Sequence, residues 1–378
     1  MKGAFPMKFE PAPLEDWMRL YYFAVDDDIG SSGVEDYSLA ELRAMLGIGT
    51  DELDAVVFRD STSFGGEEVR TAIAEQWGTG DPDRVMVTHG GSEAIYLVLS
   101  TLLDPADAVV VTEPTYHTHT SIARTMGCEL RVWPLRPENG FRPDLADLRA
   151  VIDGVKAVVV NFPHNPTGAS LTPAQRDELV AMCAEAGAYL VWDQAFREMV
   201  VEGEPLADPV HDYEKAISIG TLSKGYGLPG LRVGWAIAPH DVLRGTLDLR
   251  DRMTLHLSPL VELLATRVAR HAGLLVGPRM DQARRNLGLL RQWAADHAEL
   301  VHLPEPMGGV TTFPQLLGHT DTTGFCHDLA REHRTLLVPG SCFGDPTRVR
   351  LGYGGPTSSF TRGLETLALM GENAHVQN

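Results

Sequence analysis

Between residues 85 and 238 apolar residues fall in short runs, each ending on a polar or turn-forming pair. Val85–Thr88 reads as a strand, followed by Gly90-Gly91 and a helical pattern over residues 92–103. Residues 108–112 form an apolar, β-branched run that stops at Glu113-Pro114, and Ala157–Asn161 is another that stops at Phe162-Pro163. Thr172 followed by Pro173 has the form of a helix start, an N-cap and then a first-turn proline. Leu179, Met182, Cys183 and Ala186 recur at helical spacing, and Gly187 ends that helix. Residues 189–192 return as a strand that delivers Asp193, and 217–219 and 233–238 read as two more. Apolar strands alternating with helices predict an α/β architecture, a mostly parallel sheet flanked by helices. Ligands bind such sheets beyond the carboxyl ends of the strands.

The pattern changes near residue 258. A helical periodicity runs from Pro259 through Ala272 and resumes after Pro278 to about Ala298. Short strands follow around 309–313, 336–339 and 349–353. A smaller α+β domain is expected from residues 258–378, completed by residues 1–45, beside a large domain over 46–257. Trp17, Tyr21 and Tyr22 predict a short N-terminal helix packed through its aromatic side chains.

The chain has 378 residues, 44% hydrophobic and 22% charged, enough for a sizeable core and for two domains. A net charge of −19 argues against nucleic acid as a partner, because phosphate backbones require a basic footprint. Cys128, Cys183, Cys326 and Cys342 form no CxxC pair and predict neither a disulfide frame nor a zinc site. No stretch approaches the ~20 apolar residues of a membrane span, and residues 1–10 lack the apolar run of a signal peptide. The expected location is the cytoplasm.

Four segments carry candidate chemistry. In Asn161-Phe-Pro-His-Asn165-Pro-Thr-Gly168 a Pro- and Gly-rich turn fixes the Asn165 amide at a strand end, although Asn-Pro-Thr-Gly is also a common turn. Asp193 closes an apolar strand in Val191-Trp-Asp-Gln-Ala-Phe196, a costly position for an acid without a partner. Thr221-Leu-Ser223-Lys224 sets a lysine among hydroxyls, with glycines after it and Arg232 eight residues on. Hydroxyls and a guanidinium suit a phosphate dianion, and a lysine in desolvated, cationic surroundings has the lowered pKa that an amine nucleophile or base needs. Gly90-Gly91-Ser92 opens a helix whose free N–H groups favour phosphate.

In this order, over roughly residues 60–355, these segments resemble the class I/II aminotransferases, enzymes of pyridoxal 5′-phosphate (PLP) with the aspartate-aminotransferase-like fold type I. The resemblance implies that Lys224 carries PLP as a Schiff base and serves as catalytic base. It implies that Asp193 pairs with the pyridine nitrogen and keeps the ring cationic, an electron sink. Tyr116 corresponds to the stacking aromatic, Asn165 to the donor toward the phenolic oxygen, and Gly91, Ser92, Thr221, Ser223 and Arg232 to the phosphate site. Arg350, in Val349-Arg350-Leu-Gly-Tyr, corresponds to the arginine that takes the substrate α-carboxylate. Gly33 and Asn165 would lie against the substrate, and a homodimer is implied.

Two departures narrow the expectation. Phe196 stands where most members have a tyrosine that donates to the phenolic oxygen, and Ser63 or Phe64 stands where a tyrosine reaches the partner's phosphate. The segments Pro13-Leu-Glu-Asp-Trp-Met-Arg-Leu-Tyr-Tyr-Phe and Asp28-Ile-Gly-Ser-Ser-Gly33-Val-Glu35-Asp36-Tyr resemble capreomycidine synthases, PLP enzymes of antibiotic pathways. Those enzymes cyclise 3-hydroxy-L-arginine to capreomycidine by β-elimination of the hydroxyl and intramolecular addition of the guanidine. Expelling hydroxide requires an acid: Lys224 as ammonium, with His89 and His164 behind it. A guanidinium requires a carboxylate, Glu35 or Asp36 or one of the run Asp26-Asp27-Asp28. The rival reading is an ordinary aminotransferase of a basic or aromatic amino acid. A DNA-binding regulator on the same fold would need a basic surface that this composition lacks.

Overall fold

The computed structural model describes residues 9–376. Seven strands form the central sheet: β1 (Val85–Thr88), β2 (Ala108–Glu113), β3 (Glu129–Pro134), β4 (Ala157–Asn161), β5 (Tyr189–Asp193), β6 (Ala216–Thr221) and β7 (Gly234–Ile237). Their spatial order is β1-β7-β6-β5-β4-β2-β3. Neighbours pair in parallel except at β7, which runs antiparallel to both β1 and β6.

Alternate residues of each strand enter opposite layers, as a period of two demands. Val158 and Val160 pack on one face with Leu179, Met182 and Cys183 of the helix Pro173–Ala186. Val159, Val191 and Ile217 pack on the other against Ala94, Leu97 and Val98 of the helix Gly91–Leu102. Each such buried side chain contributes roughly 1.5–3 kcal/mol, so a strand covered on both faces reads as one apolar run. The helix Pro173–Ala186 starts on a Thr172–Gln175 capping box and ends on Gly187 at φ 66°, the start and stop that its sequence predicts.

Two expectations change. β3 escaped the sequence pattern because it is an edge strand with β2 as its one neighbour in the sheet, and its Glu129 and Arg131 interrupt the apolar run. The long C-terminal helical stretch breaks at His271, not at Pro278, giving Pro259–Arg270 and Ala272–Asp296 with Pro278 inside the second helix. The carbonyl that Pro278 frees belongs to Leu274, which is exposed and can give it to water.

The helix Pro13–Tyr21 buries Leu14, Trp17 and Tyr21, whereas Tyr22 lies at the surface. Trp17 donates through Nε1 to the Leu337 carbonyl at 3.0 Å. Asp27–Asp28 then pairs in parallel with Thr335–Leu336, and Gly352 N–H donates to the Ile29 carbonyl at 2.8 Å. These contacts lay residues 30–36 between the C-terminal strands and the rim of the central sheet. All four cysteines are free thiols. Among the described residues no side-chain cluster could hold a metal ion, and no helix is long and apolar enough to cross a membrane.

Candidate active site

Register places the candidate residues along one sheet edge. Asn161 lies opposite Asp193, and Asp193 opposite Ile219. Gly234 lies between Thr88 and Thr221, because antiparallel β7 begins where β1 and β6 end. Arg232, two residues before β7, thereby joins the carboxyl ends of the parallel strands.

Lys224 follows β6. Its Nζ donates to Ser32 Oγ at 3.1 Å, and its carbonyl accepts from Val34 N–H at 3.2 Å. A Cβ on Gly33 would come within 3.7 Å of the Ser223 carbonyl, so the N-terminal loop lies directly on the lysine segment. Burial draws the Lys224 ammonium down to about 8, and repulsion from Arg350 and Arg232 acts in the same direction.

Asp193 is buried at the end of β5. Its Oδ2 lies 2.9 Å from His119 Nε2, and its Oδ1 accepts from Ala195 N–H at 2.9 Å. Thr115 Oγ1 lies 3.1 Å from His119 Nδ1. An imidazole donating through Nε2 to Asp193 can therefore accept from the Thr115 hydroxyl. Asn161 Nδ2 donates to the Asp193 carbonyl at 2.8 Å, and Asn161 Oδ1 accepts from Asn165 N–H at 3.0 Å, tying strand end to turn.

An anion cradle forms beside these groups. Thr221 Oγ1 lies 3.0 Å from Ser223 Oγ, and Arg232 Nη1 donates to the same hydroxyl at 3.3 Å. Gly90 has φ 82°, and a Cβ there would stand 2.5 Å from Arg232 Nη2. The Gly91–Leu102 helix begins at this point with its N-terminal N–H groups. Ser92 hydrogen-bonds the phenol of Tyr116, whose pKa is raised by burial.

Arg350 is buried. Its Nε donates to the Gly30 carbonyl at 3.0 Å and its Nη1 to Asn165 Oδ1 at 3.3 Å. Burial lowers its pKa to about 10, against the opposing charge of Asp28. Tyr116 donates to Glu15 Oε1 at 3.3 Å. Phe196 is buried in the core, and its ring carries no hydrogen-bond donor.

Some candidates stand apart from this group. Glu35 is engaged by Arg279 Nη1 at 3.0 Å and Gln282 Nε2 at 2.9 Å, so its charge is already compensated. Asp26 pairs with Arg334 and Asp27 with Arg362. His164 is buried between Thr167 and Thr112, and burial depresses it to about 3, a neutral packing residue at ordinary pH. His89 is held by Glu93 at the helix start. Sequence reasoning missed His119, Ser32 and Glu15. The Tyr116–His119 spacing of one helical turn was the available signal for the first.

PLP requires an amine for its aldehyde, a cradle for its phosphate and an acid for its ring nitrogen. Lys224, the Gly90–Ser92 turn with Thr221, Ser223 and Arg232, and Asp193 supply these from one edge. A side chain at Gly90 would displace the Arg232 guanidinium from the cradle, so a glycine there keeps the backbone and the arginine together around a phosphate. The residues present fit the group.

The family profile "Aminotransferase class I and II" matches residues 54–367. The chain is 47% identical to capreomycidine synthase of Streptomyces vinaceus, over 97% of this chain and 95% of that protein. It is 30% identical to arginine–pyruvate transaminase AruH of Pseudomonas aeruginosa, over 72% of this chain and 70% of that one. The crystal structure of the PLP-dependent cyclase OrfR superposes with a TM-score of 0.93 at 46% identity, covering 99% of this chain and all of that one. A profile spanning most of the chain, on this sheet and with this lysine, places the protein in the class I and II aminotransferase family.

Proposed function

We propose that this protein is a PLP-dependent cyclase that converts 3-hydroxy-L-arginine into capreomycidine with loss of one water. The observation that carries the reading is likeness along nearly the whole chain to a capreomycidine synthase and to a PLP-dependent cyclase, at 47% and 46% identity.

When bound, PLP supplies an electron sink for the pair left behind as the substrate's α-carbon loses its proton. Arg350, braced by Gly30 and Asn165, orients the α-carboxylate. Asp193, braced by His119, holds the proton of the ring nitrogen. Lys224 Nζ takes the α-proton and delivers a proton to the 3-hydroxyl, whose C–O bond breaks with the pair leaving on oxygen as water. A guanidine nitrogen of the same substrate then bonds to C3. Lys224 takes the proton which that nitrogen sheds and returns one to the α-carbon. Ring closure is intramolecular, so orientation by Arg350 and the loop over residues 30–36 supplies much of the rate.

Incubation with 3-hydroxy-L-arginine and no oxo-acid acceptor tests the reading. A product that keeps all four nitrogens and has lost one water supports it. A strict requirement for an oxo acid, with nitrogen transferred to it, would make the protein an ordinary aminotransferase instead. A cytoplasmic homodimer completes the proposal. Free thiols suit a reducing compartment, and exposed Val57, Phe58, Met253 and Leu255 offer apolar surface to a second copy, which sedimentation can count.

A further inference from the structure

The arginine-like substrate ends in a planar cation, and a protein reads such a group with a carboxylate whose fork is open toward it. Most acids around the site are already spent. Glu10 pairs with Arg124, Asp16 with Arg19, Asp26 with Arg334, Asp27 with Arg362, and Glu35 with Arg279 and Gln282. Asp28 Oδ1 is held by the backbone N–H groups of Gly30 and Ser31, each at 2.9 Å, and its charge is the foremost one set against buried Arg350. Asp36 is exposed; Arg279 acts on it more strongly than Lys224 does and also donates to its carbonyl.

Glu15 is different. It sits half-buried in the first turn of the helix Pro13–Tyr21, and its Oε1 accepts from the Tyr116 phenol at 3.3 Å. That contact spans 101 residues of sequence and holds the carboxylate at the hydroxyl end of the candidate stacking ring. Its charge is felt by Lys224 and Arg350 of the site and by His117, the neighbour of Tyr116. Among the described residues no basic side chain bridges it in an ion pair, and Tyr116 engages only one of its two oxygens. A carboxylate anchored on one side and open on the other, within the field of the catalytic lysine, is the geometry that a guanidinium needs.

We infer that Glu15 receives the guanidinium of the substrate and thereby selects basic over neutral side chains. The inference rests on the reading of the site as one for an arginine-type amino acid. Glu15 would also hold the chain folded back over Tyr116, with the terminal nitrogens turned toward C3. Glu35, Asp26 and Asp27, which the sequence pattern also offered, are compensated by arginines from distant parts of the chain.

The test uses holoenzyme with L-arginine and L-citrulline, which differ by a guanidinium against a neutral urea of the same shape. Neither carries a 3-hydroxyl, so neither can cyclise, and each is titrated against the visible band of bound PLP. Wild type should prefer arginine. In Glu15→Gln and Glu15→Ala the arginine-to-citrulline affinity ratio should fall about tenfold or more, the value of a charged hydrogen bond. A ratio unchanged in both variants overturns the inference, whatever the absolute affinities do. Failure of wild type to cyclise 3-hydroxy-L-arginine is scored separately and leaves this ratio readable.

Discussion

Asp193 and His119 meet at the floor of the site, Oδ2 to Nε2 at 2.9 Å, with both side chains almost wholly buried. They lie 74 residues apart and are brought together because β5 ends, and the helix Thr118–Thr125 that follows β2 begins, at the same sheet edge. A buried carboxylate is costly alone, and here His119 and the Ala195 N–H hold it in place. Asp193→Ala should therefore slow α-proton exchange by several orders of magnitude, since a neutral ring is a poor electron sink. His119→Ala should cost less, about 10- to 100-fold, the value of one hydrogen bond to a charged group. Loss of the α-proton signal in deuterated water, followed by NMR, measures both. Exchange at the wild-type rate in Asp193→Ala would remove that residue from the mechanism.

The lowered pKa of Lys224 has a sign that can be checked. Only the neutral amine condenses with an aldehyde, so capture of PLP by apoprotein should accelerate with pH and level off above about 8. An unfolded lysine stays protonated to near 10.5, so between about 8 and that value the unfolded chain binds a proton that the folded chain does not. The contribution of Lys224 to apoprotein stability should rise with pH across that window, its penalty being full below it, while the four thiols that burial raises act in the opposite sense. Lys224→Met should remove this contribution, read as the difference in slope from wild type, and raise the apoprotein melting temperature at pH 7, while eliminating the visible band of bound cofactor. A capture rate flat from pH 6.5 to 9 would contradict the assignment.

Gly90 tests the anion cradle. Its φ of 82° already disfavours a side chain, and a Cβ would press on Arg232 Nη2 at 2.5 Å. Arg232 is exposed at its tip and can swing away, so Gly90→Ala should fold but lose a phosphate ligand. Gly80 has nearly the same φ, 83°, with nothing within 4 Å of its missing Cβ. Gly80→Ala therefore carries the backbone strain without the displacement. Equilibrium dialysis should show PLP affinity falling about tenfold or more in Gly90→Ala, the value of one charged contact, and holding in the Gly80 variant. Equal losses in the two would assign the effect to strain.

How much of this was legible in sequence depended on where each residue's partner lies. β4 and β5 could be read because both faces are buried and their residues are apolar up to the terminal Asn161 and Asp193. The strand ends then placed Asn161, Asp193, Thr221 and Lys224 correctly along one edge. β3 was hidden because one side of an edge strand faces water. Glu35 looked free because Arg279, which neutralises it, lies 244 residues on. Glu15 was passed over because nothing local signals that its helix brings it to the Tyr116 hydroxyl. Local pattern shows which side chains a strand end presents, but charge compensation is a tertiary property.

Arg350 offers the last test, and its environment decides what a substitution would mean. The guanidinium spends Nε on the Gly30 carbonyl and Nη1 on Asn165 Oδ1, which fixes its plane and leaves its remaining N–H groups for a ligand. A buried cation with these two oxygen partners is under-compensated, which is why its pKa falls to about 10. A substrate carboxylate would supply the missing charge. Arg350→Lys keeps a positive charge but cannot make the two braces and a bidentate pair together. It should therefore weaken binding of L-arginine about 100-fold while weakening L-argininamide, which lacks the carboxylate charge, far less. Titration of the bound cofactor's absorbance with each ligand gives the two affinities. An equal loss for acid and amide would mean that Arg350 acts by holding Asn165 and Gly30 in position, and that the carboxylate is met by another group.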